Sequence, residues 1–373
     1  MIQNQYDLAV VGASFAGLAC ATAASARNVR TLVIDRKPEP GAAVRTTGLL
    51  VKEAADEWDV PRRLTRKIHG VRLYGPSLHW IDLHAPGYYF LATNTPALLR
   101  WFSTRAYLAG VQIENATKYA GARHAGGCIE LDSPRTNCRY LVGADGARSA
   151  VARDFNLGRN QQFLIGTEIE FENVRGVDDD FLHVFLDSQL APGYIAWVVP
   201  GVGITQVGLA CKAPAPGLGK PRIDDFIRKI SGRFDFSAAK IVGRRGGLIP
   251  CGGPVRPFAT DRVMLVGDAA GMVSPLTAGG IHTAIHYGRC AGLAVSDYLL
   301  DAGPEPGTVM KSIVPRFMFK RLMRAAFNLG PPNVLIDLAL QCRPCRATAQ
   351  AIFYHHRGLF SPAAWRDLIL AWR

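Results

Sequence analysis

Three glycine-rich turns in this 373-residue chain carry residue types able to grip a ribose-bearing, negatively charged cofactor: Gly12-Ala-Ser14-Phe15-Ala16-Gly17, Gly143-Ala-Asp145-Gly146-Ala-Arg148-Ser149 and Val266-Gly267-Asp268-Ala-Ala-Gly271. Bare glycine backbone admits a phosphate or a flat ring, helix-opening amides bind anions, and a carboxylate at a strand end accepts hydrogen bonds from sugar hydroxyls. One such turn suits almost any dinucleotide. Three of them, each ending an apolar strand and in this order, point to a discontinuous FAD-binding domain.

The first turn requires a βαβ unit to hold it. Tyr6 to Val11 reads as a buried parallel strand, Ala16 to Ala26 as a small-residue helix, and Thr31 to Asp35 as a second strand. Gly12 permits the tight turn and Gly17 the close approach of helix to sheet, while the amides around Ser14, Phe15 and Ala16 meet the pyrophosphate. Ser14 stands where the fingerprint has its middle glycine. Asp35, with Arg36 beside it, is assigned to the adenosine end, where its carboxylate favours a ribose 2′-hydroxyl over a 2′-phosphate. This turn alone leaves NAD and FAD equally open.

The later segments favour FAD. Arg139 to Val142 is a short strand running into Asp145 and Gly146, with Arg148, Ser149 and Arg153 at a helix start. Arg262 to Val266 is an apolar strand delivering Asp268 to a helix N-terminus, in reach of ribityl hydroxyls. Gly267, Gly271, Gly279 and Gly280 keep the backbone clear for a flat isoalloxazine ring, and amides near Ile281 stabilise negative charge on its reduced form. The ordinary reading of each aspartate is a helix cap, and three in register favour the cofactor.

Composition sets the frame. With 49% hydrophobic residues the chain can bury a large core and is expected to form two or three units. Lys and Arg outnumber Asp and Glu by 43 to 30, a net charge of +13, which attracts anionic partners or lipid headgroups. No basic stripe interleaved with aromatics supports nucleic-acid binding. The apolar runs Leu8–Ala26 and Ala269–Gly288 are poor signal or spanning segments, the first lacking a basic flank and the second broken by glycine, proline and histidine, so a cytoplasmic or peripheral membrane location is expected. Eight cysteines are scattered apart from Cys342-Arg-Pro-Cys345, a weak metal or redox signal read as a reduced bystander pair. No metal is expected.

The order of the three turns, followed by Pro275-Leu-Thr-Ala-Gly279-Gly280-Ile281, resembles the geranylgeranyl reductase family, within the FAD proteins built like para-hydroxybenzoate hydroxylase. The resemblance runs from residue 1 to about 300. It implies an α/β fold with a discontinuous Rossmann-like FAD-binding domain (1–75, 95–155 and 246–301), substrate-domain strands at 76–94, an antiparallel β-sheet substrate domain at 156–245 over the flavin, and a C-terminal helical region at 302–373. Strands are expected at Leu164–Phe171, Phe181–Leu186, Ile195–Val199 and Thr205–Cys211. Arg45-Thr46-Thr47-Gly48-Leu49-Leu50 is similar to a threonine-glycine-leucine segment of these reductases, which implies flavin contacts for Arg45, Thr47 and Gly48; Thr46 replaces a cysteine common there. Thr95 stands where relatives have a pyrophosphate-binding arginine, so Arg100 or Arg105 is the expected substitute. Aromatic hydroxylases carry a histidine where this chain has Gly271.

Pro192-Gly-Tyr194-Ile195-Ala-Trp197-Val-Val199-Pro200 is similar to the family's substrate wall, with Ile195 and Val199 in place of tyrosine and phenylalanine. The flavin halogenases' Trp-x-Trp pattern lacks its first tryptophan here. The implied activity is reduction of carbon–carbon double bonds in an isoprenoid lipid or prenyl chain, with hydride from reduced flavin N5 and a proton from His282 or Tyr194. NAD(P)H visiting the same cleft, or a reduced electron-transfer protein, supplies electrons. The alternatives are an FAD-dependent monooxygenase acting on an apolar or aromatic substrate, and a non-catalytic flavoprotein or lipid-binding module. Beyond Asp301, Lys311, Arg316, Lys320, Arg321, Arg324, Arg343 and Arg346 alternate with apolar residues, which suits either an anionic lipid surface or a helical cap over the flavin domain. Oligomeric state is left open.

Overall fold

A computed structural model describes residues 5–213 and 221–354; the expectation of a helical region beyond 354 lies outside the described residues. The chain divides into two compact units. The first comprises Met1–Val44, Thr95–Phe163 and Ile249–Leu322, the second Arg45–Asn94, Leu164–Leu248 and Met323–Arg373. Residues 45–75, expected in the FAD-binding unit, group instead with the second, because the strand Gly70–Tyr74 joins that unit's sheet.

The first unit is built on a sheet ordered Ala259–Thr260, Val263–Leu265, Thr136–Gly143, Gln5–Val11, Thr31–Ile34, Gln112–Glu114. From Val263–Leu265 to Gln112–Glu114 every pairing is parallel, with Val10 level with Val142 and Val33, and Val142 with Met264. Leu8, Val10, Leu32, Val33, Leu141 and Val142 are closed off from solvent, as a parallel sheet covered on both faces requires. The helix Phe15–Ser25 packs on the long helix Ile281–Leu299 through glycines. A side-chain carbon on Gly288 would lie 2.4 Å from the Ala16 carbonyl oxygen, and one on Gly292 2.2 Å from that of Cys20, so the backbones touch. Phe102 of the helix Thr95–Leu108 meets Phe15 edge-on at 5.6 Å.

The second unit holds a seven-stranded sheet ordered Lys240–Pro250, Phe163–Glu172, Thr205–Lys212, Ala196–Pro200, Phe181–Phe185, Gly70–Tyr74, Trp80–His84. The four strands expected between 164 and 211 form within two residues of their expected ends. One pairing departs from the antiparallel expectation: Phe181–Phe185 runs parallel to Gly70–Tyr74. These two strands arrive from separate segments and share no hairpin, so nothing forces them antiparallel. A second, three-stranded sheet combines Leu49–Val51, Phe90–Thr93 and Thr65–Ile68.

Apolar clusters lie on both faces of the large sheet. Phe226 and Ile230 of the helix Ile223–Ile230 join Tyr74, Phe185, Val198 and Leu209 on one face. Leu340 and Tyr354, from the helices Asn333–Gln341 and Arg343–Tyr354, join Val71, Leu73, Leu83 and Val199 on the other. The Tyr354 hydroxyl donates to the Leu83 carbonyl at 2.6 Å, and the Ser77 hydroxyl donates to Asp337 at 2.8 Å. The helices Asn333–Gln341 and Arg343–Tyr354 thus each contribute a buried residue to the second unit's core. Leu340 and Tyr354 bury their apolar surface on this sheet, within the unit to which Met323–Arg373 belongs.

Candidate functional site

The three turns leave the carboxyl ends of three adjacent strands and are tied together by backbone hydrogen bonds. Gly12 N donates to Ile34 O at 2.8 Å, Ala144 N to Val11 O at 2.8 Å, and Val266 N to Gly143 O at 2.9 Å. Each motif therefore begins by closing on the strand beside it, at the sheet edge where open α/β folds bind ligands.

Within the first turn Gly12 has φ of +110°, and a side-chain carbon there would come within 2.4 Å of the Ala144 oxygen. A carbon on Gly17 would lie 1.9 Å from the Gly12 oxygen. Ser14 caps the helix Phe15–Ser25 in extended conformation without a capping side-chain hydrogen bond, which leaves the amides at Phe15, Ala16 and Gly17 facing outward for an anion. Asp35 is half-buried at the strand end. Its Oδ2 accepts from Ala13 N at 2.7 Å and its Oδ1 from Lys37 N at 2.8 Å, so the carboxylate is pre-aimed and keeps lone pairs on both oxygens. Arg36 is exposed.

The second turn is partly a helix cap. Asp145 Oδ2 accepts from Ala150 N at 2.6 Å and Val151 N at 3.2 Å, and Ser149 Oγ accepts from Ala152 N at 2.9 Å, which starts the helix Ala150–Asp154. Asp145 Oδ1 is buried and has no hydrogen-bond partner, and burial raises the carboxyl pKa. Gly146 has φ of +89°. Asn160, which sequence reasoning passed over, joins this turn to the third: its Nδ2 donates to Ala147 O at 3.1 Å and to Asp268 O at 2.8 Å. A lone asparagine after a helix carries no motif that would have flagged it.

Asp268 stands in a 3-10 turn, Gly267–Ala270, rather than at the first residue of an α-helix. The helix N-terminus it serves is in space, not in sequence: a side-chain carbon on Gly280, the cap of Ile281–Leu299, would lie 3.6 Å from Asp268 Oδ1. Burial pushes the Asp268 carboxyl up to about 6. Gly271 closes the turn in the left-handed region at φ +66°, where a side chain would meet Gly253 O at 2.5 Å and Asn160 Oδ1 at 2.7 Å. No histidine fits there. Pro275 and Ile281 are buried, Gly280 is half-buried and Gly279 exposed. His282 is half-buried one residue into the helix, with its ring 6.1 Å from that of His286.

Other expected contacts of the first unit are weaker. Arg100 is exposed on the helix Thr95–Leu108, and Arg105 lies over the Trp101 ring at 4.8 Å.

The second unit contains the threonine-glycine segment and the wall strand. Arg45 is exposed. Thr47 Oγ1 donates to Glu168 Oε2 at 2.7 Å, and the Gly48 carbonyl accepts from Thr93 Oγ1 at 2.8 Å. On the wall, Pro192 is exposed, while Tyr194, Ile195 and Trp197 are half-buried. The Arg324 guanidinium lies 5.6 Å from the Tyr194 ring centre. Val199, expected to line the wall, is 1% exposed inside the apolar cluster, and Pro200 is buried. Strand alternation turns Val199 to the same face as Trp197 but beneath neighbouring side chains, so it offers a ligand no surface. Among the described residues no cluster of His, Cys, Asp or Glu could hold a metal ion.

The bare backbone at Gly12, the outward amides of the first helix, the pre-aimed Asp35 and the unmet Asp145 Oδ1 fit an extended dinucleotide. Residues 7–144 match the family described as FAD dependent oxidoreductase (DAO). That match includes Rossmann-like strands of the first unit, where the three turns lie, and FAD is the cofactor it names. It is 28% identical over 315 residues to digeranylgeranylglycerophospholipid reductase 3 of Methanosphaera stadtmanae, covering 78% of this chain and 77% of that one. It is 26% identical over 328 residues to digeranylgeranylglycerophospholipid reductase of Sulfolobus acidocaldarius, with 79% and 70% coverage. A geranylgeranyl bacteriochlorophyll reductase-like structure from Thermoplasma acidophilum shares the fold at a TM-score of 0.81 and 23% identity, covering 91% of each chain. A flavin-dependent brominase shares it at 0.71 and 14% identity, covering 99% of each. The chain is thus similar to reductases of the geranylgeranyl type at modest identity, and shares their fold.

Proposed function

We propose that this protein reduces carbon–carbon double bonds in an isoprenoid lipid or prenyl chain. The observation that carries the reading is similarity to reductases named for a digeranylgeranyl glycerophospholipid over nearly four-fifths of the chain, spanning both units. The glycine-only geometry at Gly271 agrees with it, since the position that holds histidine in aromatic hydroxylases admits no side chain.

Bound FAD supplies a hydride at N5, and the polypeptide has the remaining tasks. Gly12, Ser14, Phe15, Ala16 and Gly17 seat the pyrophosphate, Asp35 the adenosine ribose and Asp268 the ribityl hydroxyls. The backbone at Gly279, Gly280 and Ile281 leaves room for the flat ring and offers helix-opening amides to its negative charge. Trp197 and Ile195 give an apolar surface to the prenyl chain. The proton comes from the Tyr194 hydroxyl or from the His282 imidazole. NAD(P)H or a reduced electron-transfer protein supplies the electrons.

An isoprenoid lipid substrate also suits contact with a membrane surface. In the second unit Leu329, Val334, Leu335 and Leu338 are all more than half exposed, with Arg343 exposed nearby in the chain; in the first, Met318 and Leu322 are exposed beside Arg316 and Arg321. No helix among the described residues is long and apolar enough to cross a membrane. Such a surface would meet anionic headgroups peripherally.

The test is anaerobic reduction of the flavin-loaded protein followed by reoxidation with prenyl lipids and mass analysis of the product. A gain of two hydrogens supports the reductase. A gain of one oxygen in air would replace it with a monooxygenase, and a flavin that no alkene reoxidises would leave a binding protein.

A further inference from the structure

Trp197, Gly208 and Glu168 stand in one row across three neighbouring strands, Trp197 level with Gly208 and Gly208 level with Glu168. A side-chain carbon on Gly208 would lie 2.6–2.7 Å from three atoms of the indole, so the ring rests flat on bare backbone. At the far side of that glycine, Trp197 Nε1 donates to Glu168 Oε2 at 2.8 Å. The same oxygen accepts from Thr47 Oγ1 at 2.7 Å. On the next strand, Arg245 Nε lies 3.1 Å from Glu168 Oε1, in ion-pair range but outside good hydrogen-bond geometry, and the same guanidinium pairs with Glu170.

Glu168 is only 3% exposed, and a carboxylate in such a place is costly unless its geometry is needed. An indole can only donate, and an ionised carboxylate can only accept, so the pair allows one ring orientation. The same network pins the threonine-glycine segment. Arg245 Nη1 donates to Thr46 O at 2.6 Å, Gln206 Nε2 to Thr47 O at 2.9 Å and Thr93 Oγ1 to Gly48 O at 2.8 Å.

We propose that Glu168 is a positioning residue: it holds the Trp197 indole flat across Gly208, locks it to the Thr46–Gly48 segment, and through that ring sets the affinity for an apolar prenyl chain. The inference rests on the proposed reading of Trp197 as substrate wall. Glu168 itself touches no reacting atom.

The experiment uses flavin-loaded protein labelled with fluorotryptophan, the Trp197 resonance being assigned by its loss in Trp197→Phe, and titrates geranylgeranyl diphosphate as the probe. In Glu168→Ala the Trp197 resonance is expected to shift or broaden and the Kd for the probe to rise about tenfold. Glu168→Gln keeps an oxygen acceptor for Trp197 and Thr47 but turns its amide toward Arg245. It should lower the thermal midpoint while leaving resonance and Kd near those of the parent. Glu168→Ala combined with Trp197→Phe should bind no worse than Trp197→Phe alone. An unmoved resonance in Glu168→Ala overturns the proposal, as does a moved resonance with an unchanged Kd or a parent protein that does not bind the probe. Turnover is not needed for any of these readings, so failure of the reductase activity is seen separately, as tight binding without product.

Discussion

The carbonyl oxygen of Ala144 occupies the space that a side chain on Gly12 would need, 2.4 Å from where its first carbon would sit. The first two glycine-rich turns are thereby fitted to each other before any ligand arrives. Gly12→Ala should force them apart, with a further cost of about 1–3 kcal/mol for a non-glycine residue at φ +110°. The purified variant is expected to be colourless, with a lower thermal midpoint. Gly146→Ala is the control: it has φ of +89° but open space around it, so strain alone should act and much of the flavin should remain.

If Asp268 accepts from the ribityl hydroxyls as proposed, flavin affinity has a pH dependence whose sign is fixed. Its carboxyl pKa in the ligand-free protein is raised to about 6, so below that pH the group is protonated. Ribityl hydroxyls donating to it favour the carboxylate, and binding must then release a proton. Affinity should be steady above about pH 6 and weaken below it, by at most about tenfold per pH unit. Flavin fluorescence titrations from acid to neutral pH would show this slope, and Asp268→Asn should flatten it. A slope that persists in the variant would assign the proton elsewhere.

Gly271→His would install the residue found in aromatic hydroxylases. With Gly253 O and Asn160 Oδ1 both under 3 Å from the added carbon, and a left-handed backbone, the outcome expected is loss of folding stability by roughly 2–5 kcal/mol rather than gained hydroxylation. Calorimetry, with mass analysis of any product, distinguishes the two.

Gly288→Ala tests whether helix contact supports the cofactor turn. Its added carbon would press on Ala16 O, 2.4 Å away, at the start of the helix proposed to meet the pyrophosphate. Stability should fall by about 1–3 kcal/mol and flavin affinity should fall with it. A loss of stability with unchanged flavin affinity would show that the turn is held by the sheet alone.

Membrane contact is tested by sedimentation with anionic vesicles. Leu322→Glu and Leu329→Glu, at positions 69% and 86% exposed, should each weaken binding by about tenfold with little change in thermal midpoint. Equal recovery with neutral and anionic vesicles would argue against a role for the basic residues.

The parts of this protein legible in its sequence are those where local backbone chemistry and apolar runs agree. The strand, turn and helix around Gly12 needed only a continuous apolar segment, a glycine and small residues, and Asp35 announced itself by ending the next strand. Asp268 and the helix opening near Ile281 were both found, but not that they meet: the turn at Gly267–Ala270 is 3-10, and the helix that Asp268 faces is the long one starting at Ile281. Proximity through a folded loop leaves no periodic trace. Glu168 was missed for a similar reason, since a charged residue in an alternating strand reads as solvent-facing, and only its rows with Gly208 and Trp197 show it to be buried. Val199 erred the opposite way, because an apolar residue on the right face of a strand does not reveal whether other side chains lie over it. The assignment of 45–75 failed because pairing of Gly70–Tyr74 with a strand more than a hundred residues later is a long-range choice.

The backbone stitches from Gly12 to Ile34, Ala144 to Val11 and Val266 to Gly143 give the nucleotide-binding edge one further property. Neighbouring strands share a single registration mark at the rim, so a one-residue slip in any of them would turn its side chains over and pull its glycine turn out of line together. Correct threading of the parallel sheet would then be the condition for holding the proposed flavin. Colour in the purified protein reports that three remote stretches of polypeptide have found their alignment.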